Sequence, residues 1–134
     1  MIVIDTSVGI KLLNPQEKGS ETAKKLLEEH YDRVNEIVIP NYFYIEAANA
    51  IATKKLSDEQ IISGIKLLIE CNFGYHPVSE DNLIRAALLA KKYRVSVYDM
   101  LYAVIAEANK ATLITADEKF VKAVRLPYAE LLSG

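Results

Sequence analysis

Apolar and polar positions divide the chain into two kinds of segment. Short β-branched and aliphatic runs stand at Ile2-Val3-Ile4, at Ile37-Val38-Ile39 before Pro40, and at Thr112-Leu113-Ile114-Thr115. Each run is continuous rather than alternating, which predicts strands buried on both faces of a parallel sheet. Between them the apolar residues recur at helical spacing. One helix is expected over roughly residues 20–31, after Gly19-Ser20, and another over about 42–55, after Pro40-Asn41. Ser57-Asp58-Glu59-Gln60 has capping-box spacing ahead of Ile61, Ile65, Leu68 and Ile69. Ser79 offers an N-cap to the helix of Leu83, Ile84, Ala87, Leu88 and Ala90, and Ser96 to the helix of Leu101, Tyr102, Val104 and Ile105. Helices with a few short strands between them predict an α/β sandwich in which helices cover a small central parallel sheet. No repeat, low-complexity tract or composition shift marks a linker, so residues 1–134 are read as a single domain.

Composition narrows the setting. A chain of 134 residues buries enough surface to fold without disulfides or a structural metal. The single Cys71 lies in an apolar helical run with Leu67, Leu68 and Ile69 and is read as a reduced core residue. No apolar stretch approaches the ~20 residues needed to span a bilayer, and Met1-Ile-Val-Ile-Asp5 has no basic leader. The expectation is a cytoplasmic protein with no membrane partner. The net charge of −2 argues against coating nucleic acid by charge alone. It leaves nucleic acid open as a substrate, because cations held by an acidic site reverse the sign that a phosphate meets.

Four acids stand at element boundaries or on a polar strip. In open α/β sheets ligands bind outside the carboxyl ends of the strands. Asp5 follows the first strand, and Asp117 follows the strand ending at Thr115, so parallel strands would bring both to one edge. Asp99 lies in the first turn of a helix. Glu46 shares a narrow strip with Asn49 and Thr53 on a helix that is apolar around much of its circumference, and that helix should pack on two sides. Each acid also has a plain structural reading. Asp5 and Asp117 would cap the helices that follow them, Asp99 would partner Ser96 in a capping-box-like turn, and Glu46 would be a solvated helix residue. Taken singly, each structural reading is the stronger.

Taken together, the motifs resemble the PIN-domain nucleases, and within them the VapC-type toxins of toxin–antitoxin pairs. The resemblance rests on hydrophobic-Asp5-Thr6-Ser7, on Pro40 followed by Tyr44-Ile45-Glu46-Ala47-Ala48-Asn49-Ala50, on Tyr98-Asp99-Met100-Leu101-Tyr102-Ala103, and on Leu113-Ile114-Thr115-Ala116-Asp117-Glu118-Lys119-Phe120. It implies a PIN-like α/β/α sandwich with a small, mainly parallel central sheet. It also implies an active site in which Asp5, Glu46, Asp99 and Asp117 are both the catalytic set and the metal ligands. Thr115 matches a hydroxyl residue that supports such a cluster, with Ser7 or Thr6 helping to position ligands or water. The implied reaction is hydrolysis of RNA phosphodiester bonds with Mg2+; Mn2+, which also accepts carboxylate and water ligands, is expected to substitute. The implied partners are an RNA substrate, a VapB-type antitoxin and a second copy in a homodimer. Two positions depart from the pattern: Glu118-Lys119 follows Asp117 where some members carry another acid two positions on, and Met100 follows Asp99 where a small residue is common, a change expected to reshape the cleft without touching the chemistry.

The chemistry agrees with the residue types. Magnesium prefers oxygen ligands and keeps several waters, so a few carboxylates can hold it and leave room for a phosphate oxygen. One Cys and the isolated His30 and His76 give no zinc-ligand spacing. Lys11, Lys54, Lys55, Lys91, Lys92 and Arg94 offer cations for an RNA backbone, and Tyr42 or Tyr98 a surface for stacking, although solvated helix faces and packing are their ordinary roles. An Asp-nucleophile phosphatase would want a second Asp at position 7, which is Ser7, and Asp5-Thr6-Ser7-Val8-Gly9 supplies no glycine-rich phosphate loop. An RNA-processing nuclease without an antitoxin, or a domain that only binds RNA or protein, remains as the alternative.

Overall fold

The computed structural model describes residues 1–133. In chain order the elements are β1 (Ile2–Ile4), α1 (Thr6–Lys11), α2 (Ser20–Tyr31), β2 (Ile37–Pro40), α3 (Phe43–Ala52), α4 (Asp58–Glu70), β3 (Gly74–His76), α5 (Glu80–Tyr93), α6 (Val97–Ala108), β4 (Thr112–Thr115), α7 (Glu118–Val124) and β5 (Ala129–Leu131). The strands form one sheet in the order β3-β2-β1-β4-β5, and all four pairings are parallel. The strand order reverses between β1 and β4. At such a reversal the connections leave on opposite sides and open a crevice at the carboxyl ends of the strands.

The predicted apolar triplets are the centre of this sheet. Every residue of β1 and β2 is buried, as expected for strands covered on both faces. Helix α6 packs against β1, β2 and β4. Its run Met100, Leu101, Tyr102, Ala103, Val104, Ile105 and Ala106 is buried all round, which makes it the central helix rather than a surface one. Burying a side chain such as Ile4, Ile37, Ile39 or Leu113, each at 1% exposure, contributes roughly 1.5–3 kcal/mol.

The helix starts follow the sequence closely. Both Ser57 and Ser79 close full capping boxes, with Gln60 and Asn82 respectively. Ser96 caps by accepting from the Asp99 backbone N–H at 3.0 Å, without the reciprocal arm expected of a capping box. Three other expectations need correction. Helix α3 stops at Ala52 instead of reaching residue 55, because Thr53 closes it and turns its hydroxyl back onto the Ala50 carbonyl at 2.9 Å. Cys71 is buried as expected, but it is the C-cap of α4 and its neighbours Leu67 and Ile69 are 45% and 55% exposed. Met100 is fully buried in the core, so it does not shape a cleft. Strands β3 and β5 are edge strands of three residues with little burial; they give no apolar run to read.

Helix α3 does pack on two sides, against α1 and α4, although Ile45 points outward at 73% exposure. Among the described residues no helix is long and apolar enough to cross a membrane.

The closest approach of α1 to α3 depends on Gly9. A Cβ there would meet the Phe43 ring at 2.7 Å, and Phe43 is fully buried with no space to turn away. Overpacking of this kind costs typically about 1–3 kcal/mol, against a helix-propensity gain of roughly 1 kcal/mol for Ala over Gly. Gly9→Ala is therefore expected to lower stability by about 1 kcal/mol or more in urea unfolding. An unchanged midpoint would show that α3 yields at no cost.

Candidate active site

Parallel pairing of β1 with β4 sets Ile4 opposite Ile114. The next residues along both strands therefore emerge at the same sheet edge, and Asp5 meets Thr115. Thr115 is fully buried and, among the described residues, is one of two buried polar side chains, with Ser20. Its hydroxyl donates to Asp5 Oδ2 and accepts from the Asp117 backbone N–H at 3.0 Å. Ser7 serves the other oxygen: its hydroxyl donates to Asp5 Oδ1 at 2.5 Å and accepts from the Ala116 N–H at 2.9 Å. Ser7 and Thr115 thus tie the two strand ends together through Asp5.

The capping role expected for two of the acids is real. Asp5 Oδ1 accepts from the Val8 N–H at 3.3 Å at the start of α1. Asp117 Oδ1 accepts from the Phe120 N–H at 3.0 Å at the start of α7. Capping fixes the rotamer of each carboxylate and leaves other lone pairs free. Glu46 is not a solvated helix residue. It is partly buried and accepts a 2.6 Å hydrogen bond from the Tyr102 hydroxyl of α6. Thr6 Oγ1 lies 3.2 Å from the same hydroxyl. Asp99, in the first turn of α6, is the most exposed of the four.

These acids feel one another. Burial pushes Asp5 up to about 6 against hydrogen bonds from Ser7, Thr115 and Val8, and the Asp99 charge adds to the rise. Glu46 is raised by burial, opposed by its Tyr102 bond and raised further by Asp99. Asp99 is raised by lost hydration, opposed by Ser96 and raised further by Asp117. Asp99 thus adds to the rise of Asp5 and of Glu46, and Asp117 to that of Asp99. Among the described residues no three Asp, Glu, His or Cys side chains close into a ready-made metal cage.

The remaining candidates sort differently. Thr6 and Ser7 line an open groove of about 460 Å³ with Ile10, Lys11, Thr53 and Lys54. Lys11 is occupied by Glu17 at 3.0 Å and the Lys18 carbonyl at 2.8 Å. Glu118 turns outward to pair with Lys122 at 2.8 Å. His30 accepts from the Ile37 N–H at 3.0 Å and reaches the Asn72 carbonyl at 3.1 Å, while His76 meets Asn109 at 3.1 Å, so both histidines are structural. Tyr42 packs edge-on to Tyr102 at 5.2 Å and to Tyr98 at 5.9 Å, and only Tyr98 is broadly exposed, at 61%. The sequence reading missed the bond from Tyr102 to Glu46. The signal was a tyrosine inside an otherwise apolar helical run, since a buried phenol needs an acceptor.

Comparison with known proteins follows the same lines. The family model described as PIN domain matches residues 2–126. No match is found among curated proteins. The chain is similar to VapBC2 from Rickettsia felis, solved bound to a DNA fragment from its promoter, at 21% identity over 99% of this chain and 100% of that one, with a TM-score of 0.74. It is similar to the Mycobacterium tuberculosis VapC20, a sarcin–ricin loop cleaving toxin, at 15% identity over 92% and 95% of the two chains, TM-score 0.69. A toxin–antitoxin complex from Klebsiella pneumoniae aligns at 19% identity over 97% and 96%, TM-score 0.70.

The raised Asp5 gives a pH signature. Its folded value of about 6 lies above the ordinary 3.8, so the native state holds the proton more tightly than the unfolded chain does. That contribution to stability is fully present below about pH 4 and is lost as pH rises through about 6. Its size is on the order of 2–3 kcal/mol. The difference in unfolding free energy between the wild type and Asp5→Asn, measured in urea with EDTA, should therefore fall by about that amount from pH 4 to pH 7. A difference that stays flat across this range would place Asp5 in a better hydrated setting.

Proposed function

Since the chain belongs to the PIN domain family, we propose that it is a Mg2+-dependent endoribonuclease and the toxin of a VapBC-type toxin–antitoxin pair. The observation that carries this reading is the shared carboxyl edge of β1 and β4, where buried Thr115 joins the Asp5 carboxylate to the Asp117 backbone, with Glu46 and Asp99 near enough that Asp99 raises both Asp5 and Glu46. A fold gains no stability from mutually repelling carboxylates. Their convergence at the sheet reversal suits a site whose charge is balanced by what it binds.

The donors fit a hard cation. All are oxygens, the histidines are engaged elsewhere, and Cys71 is buried among core residues. Asp5, Glu46, Asp99 and Asp117 would hold Mg2+, and Mn2+ would be accepted on the same grounds. When bound, the cation would offset the clustered charge, polarise a phosphoryl oxygen and make water a better nucleophile.

The chain's own residues supply position. Ser7 and Thr115 hold both oxygens of Asp5, and Phe120 holds one oxygen of Asp117. In the reaction water adds to phosphorus in line with the leaving oxygen, the bond to that oxygen breaks, and the oxygen takes up a proton. No side chain becomes covalently attached. Lys54 stands on the groove beside Thr6 and Ser7, where it would meet a backbone phosphate of RNA.

The printed activity of the Mycobacterium tuberculosis relative supports RNA as the substrate. The relatives solved as complexes support a VapB-type antitoxin as partner. Leu83, Ile84 and Leu88 leave apolar surface exposed on α5, which supports a homodimer. The single buried cysteine suits a cytoplasmic, reducing setting.

Purified wild-type protein is expected to cut RNA in a mixed pool with Mg2+ or Mn2+ and to stop with EDTA. Asp5→Asn, prepared identically, should fall to background. Fragment sequencing reads the sites cut. If wild type and variant are equally inert while folded and free of antitoxin, a binding role replaces the catalytic one.

A further inference from the structure

Two tyrosines join the helices that carry Glu46 and Asp99, and they do so reciprocally. Tyr102 sits three residues after Asp99 on α6 and donates to Glu46 Oε1 on α3 at 2.6 Å. Tyr42 sits four residues before Glu46, at the N-cap of α3, and donates to the carbonyl of Tyr98, the residue preceding Asp99, at 2.9 Å. Each helix thus sends one phenol to the other beside an acid. The two rings meet edge to face with centroids 5.2 Å apart, a favoured aromatic geometry. Tyr102 is 1% exposed and is the largest fully buried side chain among the described residues, so its ring is enclosed by the core.

We propose that Tyr102 is a positioning residue for the metal site: clasped against Tyr42, it fixes the Glu46 carboxylate at a set distance from Asp99. The inference rests on the metal-site reading above and adds to it a residue that touches neither metal nor substrate. A glutamate on a helix face has three side-chain torsions and would otherwise swing away from a neighbouring negative charge. Three features oppose that movement in this protein. The Tyr102 hydroxyl holds one oxygen of Glu46, Thr6 Oγ1 lies 3.2 Å from that hydroxyl, and the ring stack holds α3 and α6 in register. The second Glu46 oxygen is left without a side-chain hydrogen bond among the described residues and is free to meet a cation.

Hydrogen-bond partners behind a ligand typically change metal affinity by about 10–100-fold when removed. Tyr102→Phe keeps the ring and deletes only the hydroxyl, so it tests the claim without opening a cavity. Binding of Mn2+ alone is read by titration calorimetry or by electron paramagnetic resonance on the folded chain, with no RNA present. Tyr102→Phe is expected to bind about tenfold more weakly than wild type. Glu46→Gln should also bind weakly, and the pair Tyr102→Phe/Glu46→Gln should bind no more weakly than Glu46→Gln alone. A merely structural hydroxyl would weaken binding by the same factor in both backgrounds.

Equal Mn2+ affinity of Tyr102→Phe and wild type would overturn the positioning role while leaving the metal site intact. Wild type that binds no Mn2+ would overturn the metal-site reading and this inference with it. Should Tyr102→Phe fail to fold by circular dichroism, Tyr42→Phe deletes the reverse bond at a less buried position. It is expected to weaken Mn2+ binding in the same direction, and an unchanged affinity there overturns the clasp.

Discussion

The parallel register of β1 against β4 is the constraint on which the site depends. Those two strands are the centre of the sheet and the point where strand order reverses. Their pairing, Ile2 with Thr112 through Ile4 with Ile114, is held by residues that are almost wholly buried on β1 and alternately buried on β4. A slip of one residue would turn every side chain to the opposite face. It would expose Leu113 and remove Thr115 from Asp5. The same apolar burial that stabilises the fold therefore sets the hydrogen bonds at the candidate site, and the two cannot vary independently.

Capping and acid clustering work together here. Asp5 and Asp117 each cap a helix, which makes their carboxylates rigid without using all their lone pairs. Ser96 fixes the backbone of Asp99 in the same manner. The cost is electrostatic: burial and mutual repulsion raise Asp5, Glu46 and Asp99 above ordinary carboxylates. Hydrogen bonds from Ser7, Thr115, Tyr102 and Ser96 offset part of it. A protein built for stability alone would place apolar or neutral polar residues at these positions.

What the sequence revealed divides by the range of the interaction. Local signals were readable: the apolar triplets of β1 and β2, the capping boxes at Ser57 and Ser79, and the turn after Asp5 all depend on neighbours within a few residues. The four acids were legible because each sits at a recognisable boundary or within a family motif. Strands β3 and β5 were not, since a three-residue edge strand is defined by its partner rather than by its own composition. The outward placement of Leu67 and Ile69 depends on which face of α4 meets α3, and the burial of Met100 on which face of α6 meets the sheet. The bond from Tyr102 to Glu46 spans 56 positions, and nothing local announces it. Only the requirement that a buried phenol find an acceptor pointed toward such a partner.

Charge poses the sharpest problem for the proposed reaction. Four acids meet a polyanionic substrate on a chain whose net charge is already −2, so repulsion must be reversed locally. The chain's own cations are poorly disposed for this. Lys11, on the groove beside Thr6 and Ser7, is only 14% exposed and is held by Glu17 and the Lys18 carbonyl. Lys122 is turned toward Glu118. Lys54 alone stands on the groove wall without a carboxylate partner among the described residues, and one exposed lysine is screened at physiological salt within roughly 8 Å. In the proposed enzyme the attraction for RNA must therefore come chiefly from bound cations. On that reading metal would govern substrate binding as well as chemistry, and both would share the geometry set by Asp5, Thr115 and the proposed tyrosine clasp.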